Sequence, residues 1–241
     1  MKNIDQLIER SRQLASSSIL NAPLREEGEE FVALRNSDRL IVMPIWQHPI
    51  DPIEGRLYGE YIAKQPKYKS VYVRKKIAFL LKVAASNLPK RYRLIVRAGH
   101  RPLVVQKKLL NNVAADFLRK NPGSTKKQSL DFARTYVSDP GTATPPHCCG
   151  AAVDVDLLDT KTNRLVDFGC PINTDSEAAF LHSSFITAEQ YSNRMLLLKV
   201  MLGAGFASHA AEWWHYSYGD QRWAWFYGKN AALYDRCEPK V

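Results

Sequence analysis

The sequence predicts an α+β fold, a small antiparallel sheet flanked by helices, with an N-terminal helical extension. Apolar residues recur at helical spacing between residues 71 and 136 and again after Thr187. Strand-like segments are few and short, at 40–45, 93–98, 151–158 and 212–218. Helices and loops of mixed length separate them, and at 241 residues the chain can bury a substantial core. The expected division is an extension over 1–55 packed on a main domain over 56–241.

Each element has a local reason. Ile4, Leu7, Ile8, Leu14 and Ala15 give residues 3–18 an amphipathic helical pattern. The apolar run 40–45 reads as a strand, and Pro49, Pro52, Gly55 and Gly59 then mark an irregular connection. Val73, Ile77, Leu80, Leu81 and Ala84 line one face of a helix from Val71 to Asn87, which Pro89 ends. Arg93 to Ala98 is a buried strand, Gly99-His100-Arg101-Pro102 is a turn, and Pro102 opens a helix to about Lys120. Asn121-Pro122-Gly123 stops that helix, and Ser124 caps another through Tyr136. Prolines and glycine make 138–146 a loop. Val153, Val155 and Leu157 share one face of a strand over 151–158, and Asp159 to Asn163 is a turn. Thr187-Ala188-Glu189-Gln190 is a capping box opening a long apolar helix that Gly203 and Gly205 end. Two aromatic-rich strands, 212–218 and 223–227, follow.

Composition narrows the function classes. The net charge is +10, yet Lys and Arg are scattered and no nucleic-acid-binding signature accompanies them, so a solvated surface is expected and no nucleic-acid partner. No apolar run approaches the roughly 20 residues of a membrane helix. The first ten residues mix charge with apolar side chains, without the apolar centre of a secretory signal, so the expected compartment is cytoplasmic. The four cysteines, 148, 149, 170 and 237, form no C-x-x-C pair and are expected as reduced thiols. Cys148 and Cys149 flank a candidate metal ligand but read as small buried residues approaching a strand.

The chemistry concentrates in two segments, Pro146 to Asp154 and Ala211 to Tyr216. His147, Asp154 and His215 make a set of two imidazoles and one carboxylate that suits zinc. Three protein ligands leave a tetrahedral position open, the mark of a catalytic rather than a structural zinc. Glu212 lies three residues before His215 as a spare carboxylate able to move a proton. His147 and Asp154 are seven apart, which on one unbroken strand would put them on opposite faces, so the chain is expected to bend at Gly150. Asp156 shares the face of Asp154 and is the nearest competing carboxylate. Glu212 and His215 pose the same problem. A bend near 211–212 or a helical segment would solve it, and the aromatic run from Trp213 to Tyr218 favours a strand with a bend.

These residues resemble the zinc D-alanyl-D-alanine dipeptidases, the VanX-type enzymes. That family carries His-x6-Asp, then Glu-Trp-Trp-His, with a Gly-Tyr-Arg-Pro turn upstream. The chain has His147 and Asp154, Glu212-Trp213-Trp214-His215, and Gly99-His100-Arg101-Pro102. Asn193-Arg194-Met195 leading to Gly203-Ala204-Gly205-Phe206 is similar to the helix before the family's Glu-Trp-Trp-His strand, and the likeness covers about residues 57 to 220. The resemblance implies that His147, Asp154 and His215 bind Zn2+, that Glu212 is the general base and then acid, and that Arg101 stabilises the charge developing on the scissile carbonyl oxygen. The chain departs from the pattern at three places. Pro145 stands where the family has Ser, and His100 replaces Tyr. Phe168-Gly169-Cys170-Pro171-Ile172-Asn173 matches a Met-Gly-Thr/Ser-x-Phe-Asp segment, so Asn173 replaces the Asp that holds the substrate's ammonium, with Asp167 and Asp175 as candidate substitutes.

The expected activity is a zinc dipeptidase acting on a short peptide such as D-Ala-D-Ala. The alternatives are a D,D- or L,D-carboxypeptidase trimming peptidoglycan stems on the same zinc core, and a non-catalytic zinc- or peptide-binding protein of the same fold.

Overall fold

The computed structural model describes residues 3–13, 22–47 and 52–240. Helix α1 (Ile4–Arg10) is capped by Asn3, whose side chain accepts from the Asp5 amide, and is shorter than the pattern over 3–18 implies; residues 14–18 lie outside the described residues. Strands β1 (Phe31–Ala33) and β2 (Leu40–Val42) follow. Helix α2 (Pro52–Lys64) replaces much of the irregular connection expected over 49–59. Its Pro opens the helix, where a missing N–H costs nothing, and Gly55 lets the helix approach the Ile45 carbonyl, 3.1 Å from where a Cβ would sit.

Strand β3 (Tyr72–Arg74) takes the start of the expected 71–87 helix, leaving α3 as Lys75–Asn87. Pairing of β3 with β1 overrides helical spacing there. Strand β4 (Tyr92–Ala98) and helix α4 (Leu103–Lys120) come next, with Pro102 at the N-cap of α4. Helix α5 (Lys126–Tyr136) has its capping box on Thr125 and Gln128, one residue after the expected Ser124. Strands β5 (Ala152–Asp159) and β6 (Arg164–Leu165) precede α6 (Ala188–Gly203), whose capping box on Thr187 and Gln190 is as the sequence indicates. The chain then forms β7 (Ala207–His209), β8 (Glu212–Ser217) and α7 (Gln221–Tyr227). The segment expected as a second aromatic strand is therefore helical. Asp220 caps it by accepting from the Trp223 amide, and Gly228 ends it at a φ of 65°.

The main sheet runs β2-β4-β5-β8-β7, with β6 paired to the end of β5. It is not wholly antiparallel as expected: β2 pairs parallel with β4, Leu40 beside Leu94. The chain between these two strands is long enough, with α2, β3 and α3, to make the crossover that a parallel pair needs. Val153, Val155 and Leu157 point into the main core with Leu94 and Val96 of β4, beside residues of α3 and α6. A second core of Leu57, Tyr58, Val105, Leu109, Leu110 and Ala133 joins α2, α4 and α5. The alternate residues of β5, Asp154 and Asp156, face the opposite way, and this polar face carries the site.

Buried arginines tie the loops to this frame. Arg194 of α6 donates to the carbonyls of Phe168, Phe180 and Ala178. Arg74 is held by Glu26 at 2.8 Å and donates to the Cys149 carbonyl at 2.9 Å, joining the N-terminal segment to the turn before β5. His182 binds Ser11 Oγ at 2.8 Å and Tyr191 Oη at 3.0 Å, docking the end of α1 against α6.

Burial pushes His182 down to about 4, and burial pushes His100 down to about 3. Both are neutral when folded, whereas an unfolded histidine titrates near 6.5. Below that pH the unfolded chain binds protons the folded chain refuses, so stability is full above about 6.5 and falls as the pH drops toward 4. Chemical denaturation at pH 7.0 and 5.0 is expected to show a lower midpoint at pH 5.0. The drop should be smaller in His182→Gln, and an equal drop in both proteins would remove His182 as a cause.

Candidate metal centre

Strand pairing and one turn assemble the centre. In the β5–β8 ladder Asp154 lies directly opposite His215. His147 comes from the short 3-10 turn Pro146–Cys149, and Gly150 follows it in the left-handed region at a φ of 67°. The expected bend is therefore at Gly150. The His147 imidazole is aimed by its Nδ1, which lies 2.8 Å from the Gly99 carbonyl and donates to it, leaving Nε2 for the centre. The backbone is laced in return, since the Arg101 amide donates to the His147 carbonyl at 3.0 Å.

His147 Nε2 lies 3.3 Å from Asp154 Oδ2 and 3.2 Å from His215 Nδ1, and His215 Nδ1 lies 3.1 Å from Asp154 Oδ1. All three residues are buried. Four donors at zinc bond lengths of ~2.0–2.1 Å lie about 3.3 Å apart at the corners of a tetrahedron. The two imidazole nitrogens are spaced as one edge of it, and each has a different oxygen of the Asp154 carboxylate at similar range, a donor set that suits a shared cation. The residues fit a divalent ion of the zinc type. Burial works to raise the Asp154 carboxyl, but the neighbouring imidazoles of His147 and His215 hold it well below the usual carboxylate range.

The neighbouring acids and thiols are otherwise engaged. Asp156 accepts from Arg97 at 3.1 Å, in a pair buried beside the centre. Burial pushes the Cys148 thiol up to about 12 and Cys149 well above its ordinary value, so both stay protonated rather than competing as thiolates.

Glu212 is half-buried at the start of β8, with Oε2 3.6 Å from His215 Nδ1. It borders the three donors without belonging to them. Burial lifts its carboxyl above the ordinary value against the opposing pull of His215. A two-residue turn joins β7 to β8, His209 pairs with Glu212, and the register shifts between Ser208 and His209. The extra residues lie between Glu212 and Tyr216 of β8, so the irregularity follows Glu212 rather than falling at 211–212 as expected, and Glu212 and His215 lie side by side.

Arg101 is buried. Its Nη1 donates to Gln106 at 2.9 Å, its Nη2 pairs with Glu54, and its Nε is buried with no protein partner. Burial opposes its charge, but Glu54 holds the guanidinium firmly protonated. The other Glu54 oxygen accepts from Asn173 Nδ2 at 2.9 Å. Glu54 was not legible as a site residue because it falls in the stretch read as irregular. Asp167 accepts from the Gly169 amide and Gln190 at 2.8 and 2.9 Å, at the start of α6, and so does not stand in for Asn173. His100 packs edge-on against Phe31, ring centres 5.2 Å apart, near Glu238.

A Cβ at Gly150 would collide with the Phe31 ring, besides forcing a side chain into a left-handed backbone. Gly150→Ala is expected to lose about 1–3 kcal/mol of stability and to weaken zinc binding at least ~10-fold by displacing His147. Gly123→Ala is the control, since its φ is 95° but nothing lies within 4 Å of the added carbon. Denaturation and competitive metal titration would check both, and unaltered metal affinity in Gly150→Ala would show that this turn does not aim His147.

Residues 60–234 match the Peptidase_M15 family, described as D-ala-D-ala dipeptidase. A D-alanyl-D-alanine dipeptidase of Synechocystis sp. is 30% identical over 65% of this chain and 74% of its own. One from Enterococcus faecium is 26% identical over 59% of this chain and 70% of its own. A solved structure of VanYB in complex with D-alanine-D-alanine superposes at a TM-score of 0.40 with 18% identity, over 67% of this chain and 81% of that one. The family match covers most of the sequence, including every residue of the centre, and the chain belongs to the D-ala-D-ala dipeptidase family of metallopeptidases.

Proposed function

We propose that the protein is a zinc-dependent dipeptidase hydrolysing D-alanyl-D-alanine or a similar short dipeptide, with His147, Asp154 and His215 as the metal ligands. The observation that carries this reading is the position of Glu212, beside the three donors but outside them. A binding or structural zinc has no use for a half-buried carboxylate there, whereas hydrolysis needs one to move a proton.

Zinc held by the three donors would acidify water and polarise the scissile carbonyl. Glu212 takes the proton released by the attacking water, and its raised pKa suits it to carry that proton to the leaving amine. Arg101 offers its guanidinium to the charge growing on the carbonyl oxygen. Two of its nitrogens are anchored to Gln106 and Glu54, so its direction is set before substrate arrives. His147 and Gly99 keep the imidazole tautomer fixed throughout.

A carboxypeptidase acting on longer stems is the second reading. Asn173 favours it: a neutral amide bound to Glu54 is a weaker partner for a substrate ammonium than a carboxylate would be.

Glu212→Ala is expected to keep its zinc by metal analysis and to lose ~10²–10⁴-fold in turnover. Arg101→Ala should lower kcat by ~10²–10³-fold with metal content unchanged. Near-normal activity in Glu212→Ala would sink the proposed base. D-alanyl-D-alanine set against its N-acetyl derivative separates the two readings, since a dipeptidase needs the free amine and a carboxypeptidase accepts the blocked peptide.

A further inference from the structure

Residues 235–239 follow the matched segment 60–234 and have no role in the chemistry above. Successive residues of this stretch each hold a different part of the chain that carries the site. Arg236 Nη1 donates to the Pro140 carbonyl at 2.7 Å, in the loop between α5 and the His147 turn. The Cys237 amide donates to the Cys148 carbonyl at 3.3 Å, one residue past His147. Glu238 Oε1 accepts from the Leu103 amide at 3.1 Å, at the start of α4. The stretch is itself tied down at both ends. The Asp235 carbonyl accepts from Arg74 Nη2 at 3.2 Å, the Asp235 amide donates to Glu26 at 3.0 Å, and the Tyr68 hydroxyl donates to the Pro239 carbonyl at 3.4 Å.

Two of these contacts converge on Arg101 through Gln106, in the first turn of α4. Gln106 Oε1 accepts from Arg101 Nη1 at 2.9 Å, and Gln106 Nε2 donates to the Ser138 carbonyl at 2.8 Å. The loop carbonyl therefore fixes which way the carboxamide is turned, with its oxygen toward the guanidinium. Arg236 holds that loop two residues on, at Pro140, and Glu238 holds the helical turn from which Gln106 projects. The N-cap of α4 is Pro102, whose ring has no atom able to accept the first amides of the helix. The Glu238 carboxylate supplies that cap from a distant part of the chain, where an anion also suits the helix dipole. The His100 imidazole, 3.9 Å from Glu238, is neutral and offers no charge to draw the carboxylate away from the amide.

We propose that Arg236 and Glu238 are positioning residues for hydrolysis: by fixing the 138–140 loop and the start of α4 they hold the Gln106 carboxamide, and through it they aim the Arg101 guanidinium at the scissile carbonyl oxygen. This rests on the reading of Arg101 as the group that meets the developing charge, and extends it to residues that touch no substrate. Glu54 anchors only the other terminal nitrogen, Nη2. Held at one nitrogen, a guanidinium can still swing about its partner; held at two, its plane and direction are set. A misaimed Arg101 stabilises the transition state less while ground-state binding stays nearly intact, so the loss falls on kcat.

Turnover of D-alanyl-D-alanine by the zinc-loaded enzyme is expected to fall about 5- to 10-fold in kcat in Glu238→Ala and in Arg236→Ala, with KM within about twofold and zinc content unchanged. Glu238→Gln keeps an acceptor for the Leu103 amide and should recover most of the loss. In an Arg101→Ala background the same substitutions should change kcat by less than about twofold, because no guanidinium remains to be aimed. Losses of equal factor with and without Arg101, or native kcat in both Glu238→Ala and Arg236→Ala, overturn the proposal. Amide hydrogen exchange reads the hold on α4 apart from turnover. Glu238→Ala should speed exchange at least ~10-fold over residues 103–106 and leave α6 unaffected. Unchanged exchange at 103–106 overturns the proposal whatever the turnover. Faster exchange there, in a protein that cleaves no dipeptide, would support the hold of Glu238 on α4 while refuting the hydrolytic reading.

Discussion

The antiparallel pairing of β5 with β8 sets Asp154 against His215, and most of the site follows from that register. A slip of one residue turns every side chain of a strand to the other face. Here the alternate residues Val153, Val155 and Leu157 are wholly buried, so a slip of one residue would drive carboxylates into the core and turn three apolar side chains onto the polar face. Apolar packing on one face of the sheet thus holds metal-binding geometry on the other. The same alternation leaves Asp156 on the site face, where Arg97 occupies it.

Around the sheet, the loops are held chiefly by arginines. Arg194 gathers three carbonyls of the 168–180 segment under α6, and Arg74 draws the N-terminal segment to the turn that carries His147. Guanidinium suits this work because its flat fork satisfies several carbonyls at once while staying charged. The result is a rigid rim for a site whose ligands come from separate parts of the chain.

Arg101, proposed for the developing charge, is fixed by the fold itself. Arg101 is anchored by Gln106 and Glu54, which suits a group that must already point at a developing charge when the substrate arrives. Glu54 links Arg101 to Asn173, so α2, lying largely ahead of the matched family segment, takes part in arranging the recognition shell.

The centre was readable in the sequence because its chemistry is local in each segment. The spacing of His147 and Asp154 around Gly150, and of Glu212 and His215, demanded two bends, and the structure has a left-handed turn and a register shift there. The capping box at Thr187 and the alternation of β5 were equally plain, since caps and strand faces depend on near neighbours. Other features depended on distant partners. Pro52, Gly55 and Gly59 looked like a broken connection, yet they sit in a helix, α2, packed into the second core. The aromatic residues 223–227 suit a strand by propensity, but Asp220 and Gly228 cap them as a helix. The parallel pairing of β2 and the pairing of Glu54 with Arg101 arise only when segments far apart in the chain meet. By itself the sequence singled out the groups proposed for the chemistry, because ligand type and spacing are written residue by residue. Which charges are paired was decided by the tertiary structure, because pairing depends on distances in space that the order of residues does not encode.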